Sequence, residues 1–275
     1  MSSTPVAPAR CSFPAGSVPA SPLKGYSPPF FGHPCRDGKP WADDESRLAD
    51  IKFNEVDDAA RLIRTSHRGI YPVDENTNMP LNPFECTGGA GPWTLGRFGP
   101  NHAADPIPLY TAADGGVYAC LVRRADNGLY AFAGGFADPE DYVSPLVPQL
   151  ADTAGSVRRT LLNTAVRELR EETGFSKEGL DFFRSNAIPV YEWYVKDARN
   201  TDNAWIETTA WLCHDKDGAV FPSIGLKGAD DAASAAWVRV SPEVTANMHA
   251  NHAEILQIAM QKMKISPGYN TLKHK

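Results

Sequence analysis

The stretch RELREETGF, residues 167–175, gathers Glu168, Glu171 and Glu172 within little more than one helical turn. At 3.6 residues per turn the three carboxylates cluster within an arc of about 100° on one side of a helix. Carboxylates placed in this way repel one another and raise one another's pKa unless a cation neutralises them. A hard divalent cation such as Mg²⁺ prefers oxygen ligands. The stretch therefore predicts a candidate metal site.

The helix that carries these glutamates is predicted over about residues 157–173. Gly174 is placed to end this helix as a C-cap. An alternative stays open, because an exposed acidic helix end, partly offset by Arg167 and Arg170, would show the same pattern. The candidate core positions lie beside the glutamates, within an arc of about 100°, and are Leu162, Ala165, Val166 and Leu169.

Composition limits the classes of protein and ligand. The chain has 275 residues, 42% of them hydrophobic and 22% charged, as in an ordinary globular protein. Its formal net charge of −6 argues against sequence-independent nucleic-acid binding, which needs a basic face. No apolar run approaches the roughly 20 residues that a membrane-spanning helix requires. The five cysteines are scattered and form no CxxC pair, which indicates reduced thiols and a cytosolic protein.

The sequence pattern divides the chain into two parts. Residues 1–108 are rich in proline and other turn formers, and they predict a loop-rich N-terminal subdomain or cap. Residues 109–275 mix strand and helix patterns and predict the core domain. Strands and helices in this order favour an α/β fold with helices on both faces of a mixed sheet, an α/β/α sandwich.

Five strands and a last helix complete the predicted core domain. An Asn-Gly turn signal between VYACLV and LYAF predicts a β-hairpin. The predicted strands cover residues 117–122, 129–132, 188–195, 204–213 and 235–240. The last helix is predicted over about residues 244–263. Its candidate core positions are Ile255, Leu256, Ile258, Ala259 and Met263.

The stretch AFAGGFADPED, followed by RELREETGF, resembles the Nudix box, GX5EX7REUXEEXGU, in which U is a bulky aliphatic residue. In the box the glycine lies 14 residues before the arginine, whereas Gly135 lies 32 residues before Arg167. The excess of 18 residues is expected to form a surface loop over about residues 142–157. The glutamate of the first half of the box is either replaced by Asp141 or shifted to Glu140.

The resemblance to Nudix hydrolases implies a role for each residue of the predicted site. Glu168 and Glu172 would be the principal Mg²⁺ ligands, and Glu171 would be a further ligand or the base that activates water. Arg167 would orient the glutamates, and the backbone carbonyl of Gly134 would be an extra ligand. Mn²⁺ or Ca²⁺ could replace Mg²⁺. The metal would neutralise a pyrophosphate and lower the pKa of the attacking water.

Further stretches narrow the resemblance. DARNTDNAWIET (197–208), GRFGPNHAADPI (96–107) and GADDAASAAWVRV (228–240) are similar to the ADP-ribose pyrophosphatase branch of the Nudix hydrolases. They are also similar to the homologous cytosolic domain of the ADP-ribose-gated, melastatin-type cation channel. The tail HANHAEILQIA (249–259) is more similar to the channel domain than to the free-standing enzyme.

Four residues outside the helix are candidate substrate ligands by this resemblance. Asp197 and Arg199 would contact the phosphates or the terminal ribose, and Asn251 and His252 would line the same cleft. Without the resemblance, RNTDN indicates a hairpin turn and Asn251 a helix N-cap. The aromatic residues considered for stacking on adenine, with a place in the core as the alternative, are Trp93, Phe98 and Trp205.

The sequence thus predicts Mg²⁺-dependent hydrolysis of the pyrophosphate of ADP-ribose to AMP and ribose 5-phosphate. The alternative is an ADP-ribose-sensing domain of a tetrameric channel, with or without retained hydrolysis. A third interpretation, an enzyme acting on other nucleoside diphosphates, explains the helix but not DARNTDNAWIET. The expected partner is ADP-ribose, without nucleic acid and without direct membrane insertion.

Overall fold

The computed structural model describes residues 27–32, 42–144, 153–227 and 232–263. These residues form two compact units. The first unit contains the described residues up to Asn101 together with Tyr194–Glu207, and the second contains His102–Trp193 and the described residues from Thr208 onward. The first unit is therefore assembled from two separate parts of the sequence.

The first unit consists mainly of loops and very short elements. Short 3-10 helical segments span Glu45–Asp50, which is kinked at Arg47, and Trp93–Leu95. The strands β1 (Val56–Asp57) and β2 (Leu62–Ile63) pair with each other in antiparallel fashion. The loop-rich character predicted for the N-terminal part is confirmed.

Buried amide side chains join residues 194–207 to the rest of the first unit. The side chain of Asn82 donates to the backbone carbonyl of Thr201 at 3.1 Å. The side chain of Asn203 donates to the backbone carbonyl of Pro80 at 2.9 Å. Because a buried polar group without a partner is costly, these bonds make the later segment an integral part of the unit.

In the described part of the chain, a seven-stranded sheet forms the base of the second unit. The central path has the order β5-β4-β3-β8-β7, with β6 paired to β3 and β9 paired to β4. The strands are β3 (Gly99–Thr111), β4 (Val117–Arg124), β5 (Tyr130–Ala131), β6 (Gly135–Phe136), β7 (Ile188–Val195), β8 (Ala204–Asp215) and β9 (Ala232–Arg239).

The hairpin predicted from the Asn-Gly signal is confirmed. Strands β4 and β5 pair antiparallel, with Val122 opposite Ala131. Gly128 has a φ of 71°, a left-handed conformation that glycine adopts without steric cost. The strands predicted at residues 188–195, 204–213 and 235–240 are also present as β7, β8 and β9.

In the described ranges, four α-helices pack around the sheet, as the predicted α/β/α arrangement requires. They are α1 (Thr153–Thr173), α2 (Lys177–Asn186), α3 (Pro242–Ala246) and α4 (His252–Lys262). On β4, Ala119 and Leu121 belong to the buried cluster that contains the α4 core residues. Cys120, which points to the opposite face of the strand, lies beside Thr173 of α1. Helices α1 and α4 therefore lie on opposite faces of the sheet.

The boundaries predicted around α1 are partly correct. The helix ends at Thr173, and Gly174 follows with a φ of 67°, so the predicted C-cap is confirmed. The helix begins at Thr153, and the loop predicted over residues 142–157 is therefore wrong for its last five residues. The middle of that predicted loop, residues 145–152, lies outside the described residues.

The single helix predicted over residues 244–263 is wrong, because α3 and α4 are separated by residues 247–251. Ala250 has a φ of 47°, which no continuous right-handed helix allows. Among the predicted core positions, Ile258 and Met263 are only partly buried. The buried apolar positions of α4 are Ile255, Leu256, Ala259 and Met260.

Candidate active site

The C-terminal half of α1 lies against the Gly134–Gly135 dipeptide, where β6 begins. The backbone N–H of Gly134 donates to Glu172 Oε2 at 3.2 Å. A β-carbon added at Gly135 would lie 2.4 Å from Glu168 Oε1, closer than atoms in contact can approach. Two glycines thus leave room for the carboxylates to approach the backbone.

Arg167 joins the carboxylates on both sides of it. Its Nη1 donates to Glu168 Oε1 at 2.8 Å and to Glu171 Oε2 at 3.1 Å. Its Nη2 donates to Asp141 Oδ2 at 3.0 Å and to the carbonyl of Phe136 at 2.9 Å. Burial by itself lowers the pKa of Arg167. The hydrogen bonds to Asp141 and the negative charge of Glu168 outweigh this effect, so the pKa lies above its ordinary value and the guanidinium stays charged. This geometry is what an orienting arginine requires.

Asp141 is the residue of the first half of the box that reaches Arg167. It lies six residues after Gly135, which is the spacing of the box glutamate, and it is buried. Its Oδ2 also accepts from Thr164 Oγ1 at 3.0 Å and from its own loop. Glu140 is exposed. Of the two alternatives drawn from the sequence, the structure therefore places Asp141 beside the arginine.

The glutamates differ in exposure and therefore in electrostatics. Burial raises the pKa of Glu168, and the nearby Arg167 guanidinium partly offsets this rise. The side chain of Glu171 is 38% exposed and its Oε1 accepts from Arg170 at 2.8 Å. A buried carboxylate beside two others, with a backbone made accessible by glycines, is a donor set that fits a hard divalent cation.

Asp197 and Arg199 belong to the first unit, whereas the glutamates belong to the second. The guanidinium of Arg199 makes a two-pronged ion pair with Asp197, with Nε–Oδ1 and Nη2–Oδ2 distances of 2.8 Å each. The arginine side chain is 48% exposed. The pair therefore holds a charged, planar hydrogen-bonding group at the surface of its unit.

The rest of RNTDN has a structural role. Asn200 is buried, and its side chain donates to the hydroxyl of Tyr194 at 2.8 Å and accepts from the backbone of Ile206 at 3.0 Å. The hydroxyl of the buried Thr201 accepts from the backbone of Ala204 at 2.9 Å. Asn200 and Thr201 therefore stabilise the turn, as the structural interpretation of RNTDN predicts. The ion pair between Arg199 and Asp197 is not part of these bonds.

Asn251 and His252 lie at the N-terminus of α4 in the second unit. Asn251 occupies the N-cap position but makes no side-chain capping bond. Its amide lies 3.4 Å from the hydroxyl of Tyr191, and within the described part of the chain its buried Oδ1 has no hydrogen-bond partner. His252 Nδ1 accepts from the backbone N–H of Phe132 at 3.0 Å. Asn251 therefore occupies the N-cap position, but its side chain does not cap the helix.

The aromatic candidates for adenine stacking are reduced to one. Phe98 and Trp205 are completely buried. The indole N–H of Trp205 donates to Glu207 Oε1 at 2.7 Å, and its ring meets Tyr71 edge-on. Both residues are core, as the alternative interpretation held, and only Trp93 is exposed.

Asp105 and Thr208 were not singled out from the sequence. The buried Asp105 accepts from Thr208 Oγ1 at 2.7 Å. A β-carbon at Gly134 would lie 2.5 Å from Asp105 Oδ1, so this carboxylate supports the glycine from the other side. The stretch GRFGPNHAADPI contains Asp105, but no spacing rule connects it with a glycine about 30 residues later.

Comparison with known families agrees with this arrangement. Residues 100–257 match the NUDIX domain, and residues 18–99 match the family described as NUDT9-like, N-terminal domain. The chain belongs to the Nudix family. The Nudix match includes α1, the two glycines and Asp141. Nudix hydrolases act with divalent cations, which agrees with the carboxylate donor set. Among the described residues, no helix has the length and apolar character needed to span a bilayer.

Three relatives illustrate the range of this Nudix group. Nudix hydrolase 6 of Caenorhabditis elegans is 34% identical over 236 residues, covering 85% of this chain and 83% of the relative. The mitochondrial ADP-ribose pyrophosphatase of Rattus norvegicus is 30% identical over 240 residues, covering 82% and 65%. The transient receptor potential cation channel subfamily M member-like 2 of Nematostella vectensis is 33% identical over 251 residues, covering 86% and 16%. The matched region is thus most of this chain but a small part of the channel.

Proposed function

We propose that this Nudix protein hydrolyses the pyrophosphate of ADP-ribose to AMP and ribose 5-phosphate with Mg²⁺. The observation that carries the proposal is the contact of the glutamates of α1 with the Gly134–Gly135 backbone, organised by Arg167 and Asp141. The substrate is supported by the likeness to a protein named as an ADP-ribose pyrophosphatase.

The proposed metal ligands are Glu168, Glu171, Glu172 and the carbonyl of Gly134. When bound, the metal would neutralise the pyrophosphate and lower the pKa of the attacking water. The side chain of Glu171 is more exposed than that of Glu168, 38% against 12%, and Glu171 could alternatively accept the proton of that water. Arg167 holds the carboxylates in place, so that little reorganisation is needed during the reaction.

Asp197 and Arg199 are the proposed contacts to ADP-ribose, and Asn251 and His252 are proposed to line its site. The guanidinium of Arg199, held by Asp197, can fork onto phosphate or ribose oxygens. The side-chain amide of Asn251 lies 3.4 Å from the hydroxyl of Tyr191 and would line the site. The Nδ1 of His252 is engaged by the backbone N–H of Phe132, so this ring would line the site without bonding to the ligand.

A second candidate function is ADP-ribose sensing within a channel. The observation that favours it is the match of 86% of this chain to part of a channel protein. Both functions require ADP-ribose binding, and they differ in whether bound ligand is turned over or shifts a gating equilibrium.

The test measures the release of AMP and ribose 5-phosphate from ADP-ribose, with Mg²⁺ and with a chelator. We expect both products only when the metal is present. Ligand binding is measured in parallel by calorimetry with Ca²⁺. Binding of ADP-ribose without any product would favour the sensing function, and the absence of both would contradict the substrate assignment.

A further inference from the structure

The connection between α3 and α4 lies along β5 like an additional strand. The backbone N–H of Tyr130 donates to the carbonyl of Asn247 at 2.9 Å, and the N–H of His249 donates to the carbonyl of Tyr130 at 2.8 Å. Tyr130 and Met248 form a parallel bridge. The connection thus satisfies the edge of β5 that would otherwise lack a backbone partner.

At the next position along this edge, a side chain takes the place of the backbone. The N–H of Phe132 donates to Nδ1 of His252 at 3.0 Å. The imidazole also stacks on the Phe132 ring, with centroids 5.1 Å apart and planes inclined by 13°. Burial lowers the pKa of His252, which keeps the ring neutral and Nδ1 available as an acceptor. The histidine therefore supplies the acceptor that a carbonyl supplies in a regular strand pair.

This bond lies close to the proposed metal ligands along the chain. Gly134 follows Phe132 by two residues, a span of at most about 7 Å. Phe132 and Ala133 are both buried. The N–H of Gly134 donates to Glu172 at 3.2 Å. A shift of the Phe132 peptide would therefore have only two residues over which to be absorbed before the Gly134 peptide, which meets the glutamate.

We propose that His252 is a positioning residue for catalysis. Through Nδ1 it holds the Phe132 peptide, which fixes the Gly134 carbonyl and N–H relative to the glutamates of α1. The inference rests on the proposed function, because it concerns the rate of the proposed hydrolysis. It differs from a purely ligand-binding role, since its main effect would be on kcat and not on KM.

The test compares His252→Leu with His252→Asn. The two replacements have nearly the same shape, but only asparagine places an acceptor, Oδ1, where Nδ1 lies. We expect His252→Leu to lower kcat about 10- to 100-fold with KM changed less than about threefold, since displacements near 1 Å have such effects. His252→Asn should retain kcat within about threefold of the wild type, because the bond to Phe132 can form.

His252→Gln is a second variant that covers failure of the leucine variant to fold. Its acceptor lies one bond too far out, so its kcat should fall in the same way as that of His252→Leu. His249→Asn is the matched control, because it removes the imidazole that meets the His252 ring edge-on at 6.0 Å between centroids, while the backbone N–H that His249 donates to Tyr130 survives. Unchanged kcat in both His252→Leu and His252→Gln, or a raised KM with intact kcat, would overturn the proposal.

Amide hydrogen exchange separates this proposal from the proposed function. In His252→Leu or His252→Gln, the amides of residues 132–134 should exchange faster than in the wild type and in His252→Asn. Equal exchange in all variants would overturn the positioning role even if the wild type is active. If the wild type releases no AMP, the proposed function fails, and a rescue of protection by asparagine alone still supports the structural half of the inference.

Discussion

The replacement of Gly135 by alanine tests how closely the glycine pair and α1 are matched. The added β-carbon would lie 2.4 Å from Glu168 Oε1 and 2.7 Å from its Cδ. Because carbon and oxygen atoms in contact are separated by roughly 3.4 Å, the carboxylate must retreat by about 1 Å. A displacement of this size can lower the rate about 100-fold. The obstructing atoms are the end of a rotatable side chain, so the free energy of unfolding should change by no more than about 1 kcal/mol.

The assay measures kcat for AMP release together with the thermal midpoint of unfolding. Gly225→Ala is the control, because a β-carbon there meets no atom within 4 Å. We expect Gly135→Ala to lose activity with almost unchanged stability, and Gly225→Ala to keep both. Full activity in Gly135→Ala would show that the position of the Glu168 carboxylate does not limit the reaction. The proposed role of Glu168 as a metal ligand would then be refuted.

Three other predictions concern the remaining charged residues. Glu168→Gln or Glu172→Gln should lower the rate of AMP release far more than the affinity for ADP-ribose measured by calorimetry, because the metal acts mainly on transition-state charge; near-normal turnover in both would contradict their roles. Asp141→Asn should lower kcat about 10-fold, since Arg167 loses a charged partner, whereas unchanged kcat would remove Asp141 from the site. Arg199→Lys should weaken ADP-ribose binding by about 1 to 3 kcal/mol but leave AMP binding nearly unchanged; equal losses for both ligands would refute a contact with the ribose phosphate.

The sequence predicted best those features whose signal lies within a single helix or strand. The helical periodicity predicted α1, and Gly174 predicted its end, because both signals are local. By contrast, the close approach of Gly135 to Glu168 was not predicted, because a double glycine alone does not show which side chain it meets. The spacing of the box also included Asp141 as one of two alternatives, and its burial against Arg167 distinguishes it from Glu140.

The sequence was less informative where tertiary contacts decide the local structure. The interruption between α3 and α4 contains no proline or glycine, and it exists because residues 247–249 pair with Tyr130. The bond from Phe132 to His252 joins residues 120 positions apart, for which a single sequence contains no signal. All residues of RNTDN are typical of a turn, so the sequence does not show which of them has a structural role. The structure does, because Asn200 is buried and Arg199 is exposed.

The return of residues 194–207 to the first unit has a consequence for protein synthesis and for truncation. A nascent chain that has emerged only as far as residue 99 still lacks the carbonyl of Thr201 that accepts from Asn82. It also lacks Asn203, whose side chain binds the carbonyl of Pro80. The N-terminal unit can therefore reach its final hydrogen bonding only after Asn203 has left the ribosome, so a fragment that ends before this residue would be a substrate for chaperones and proteases.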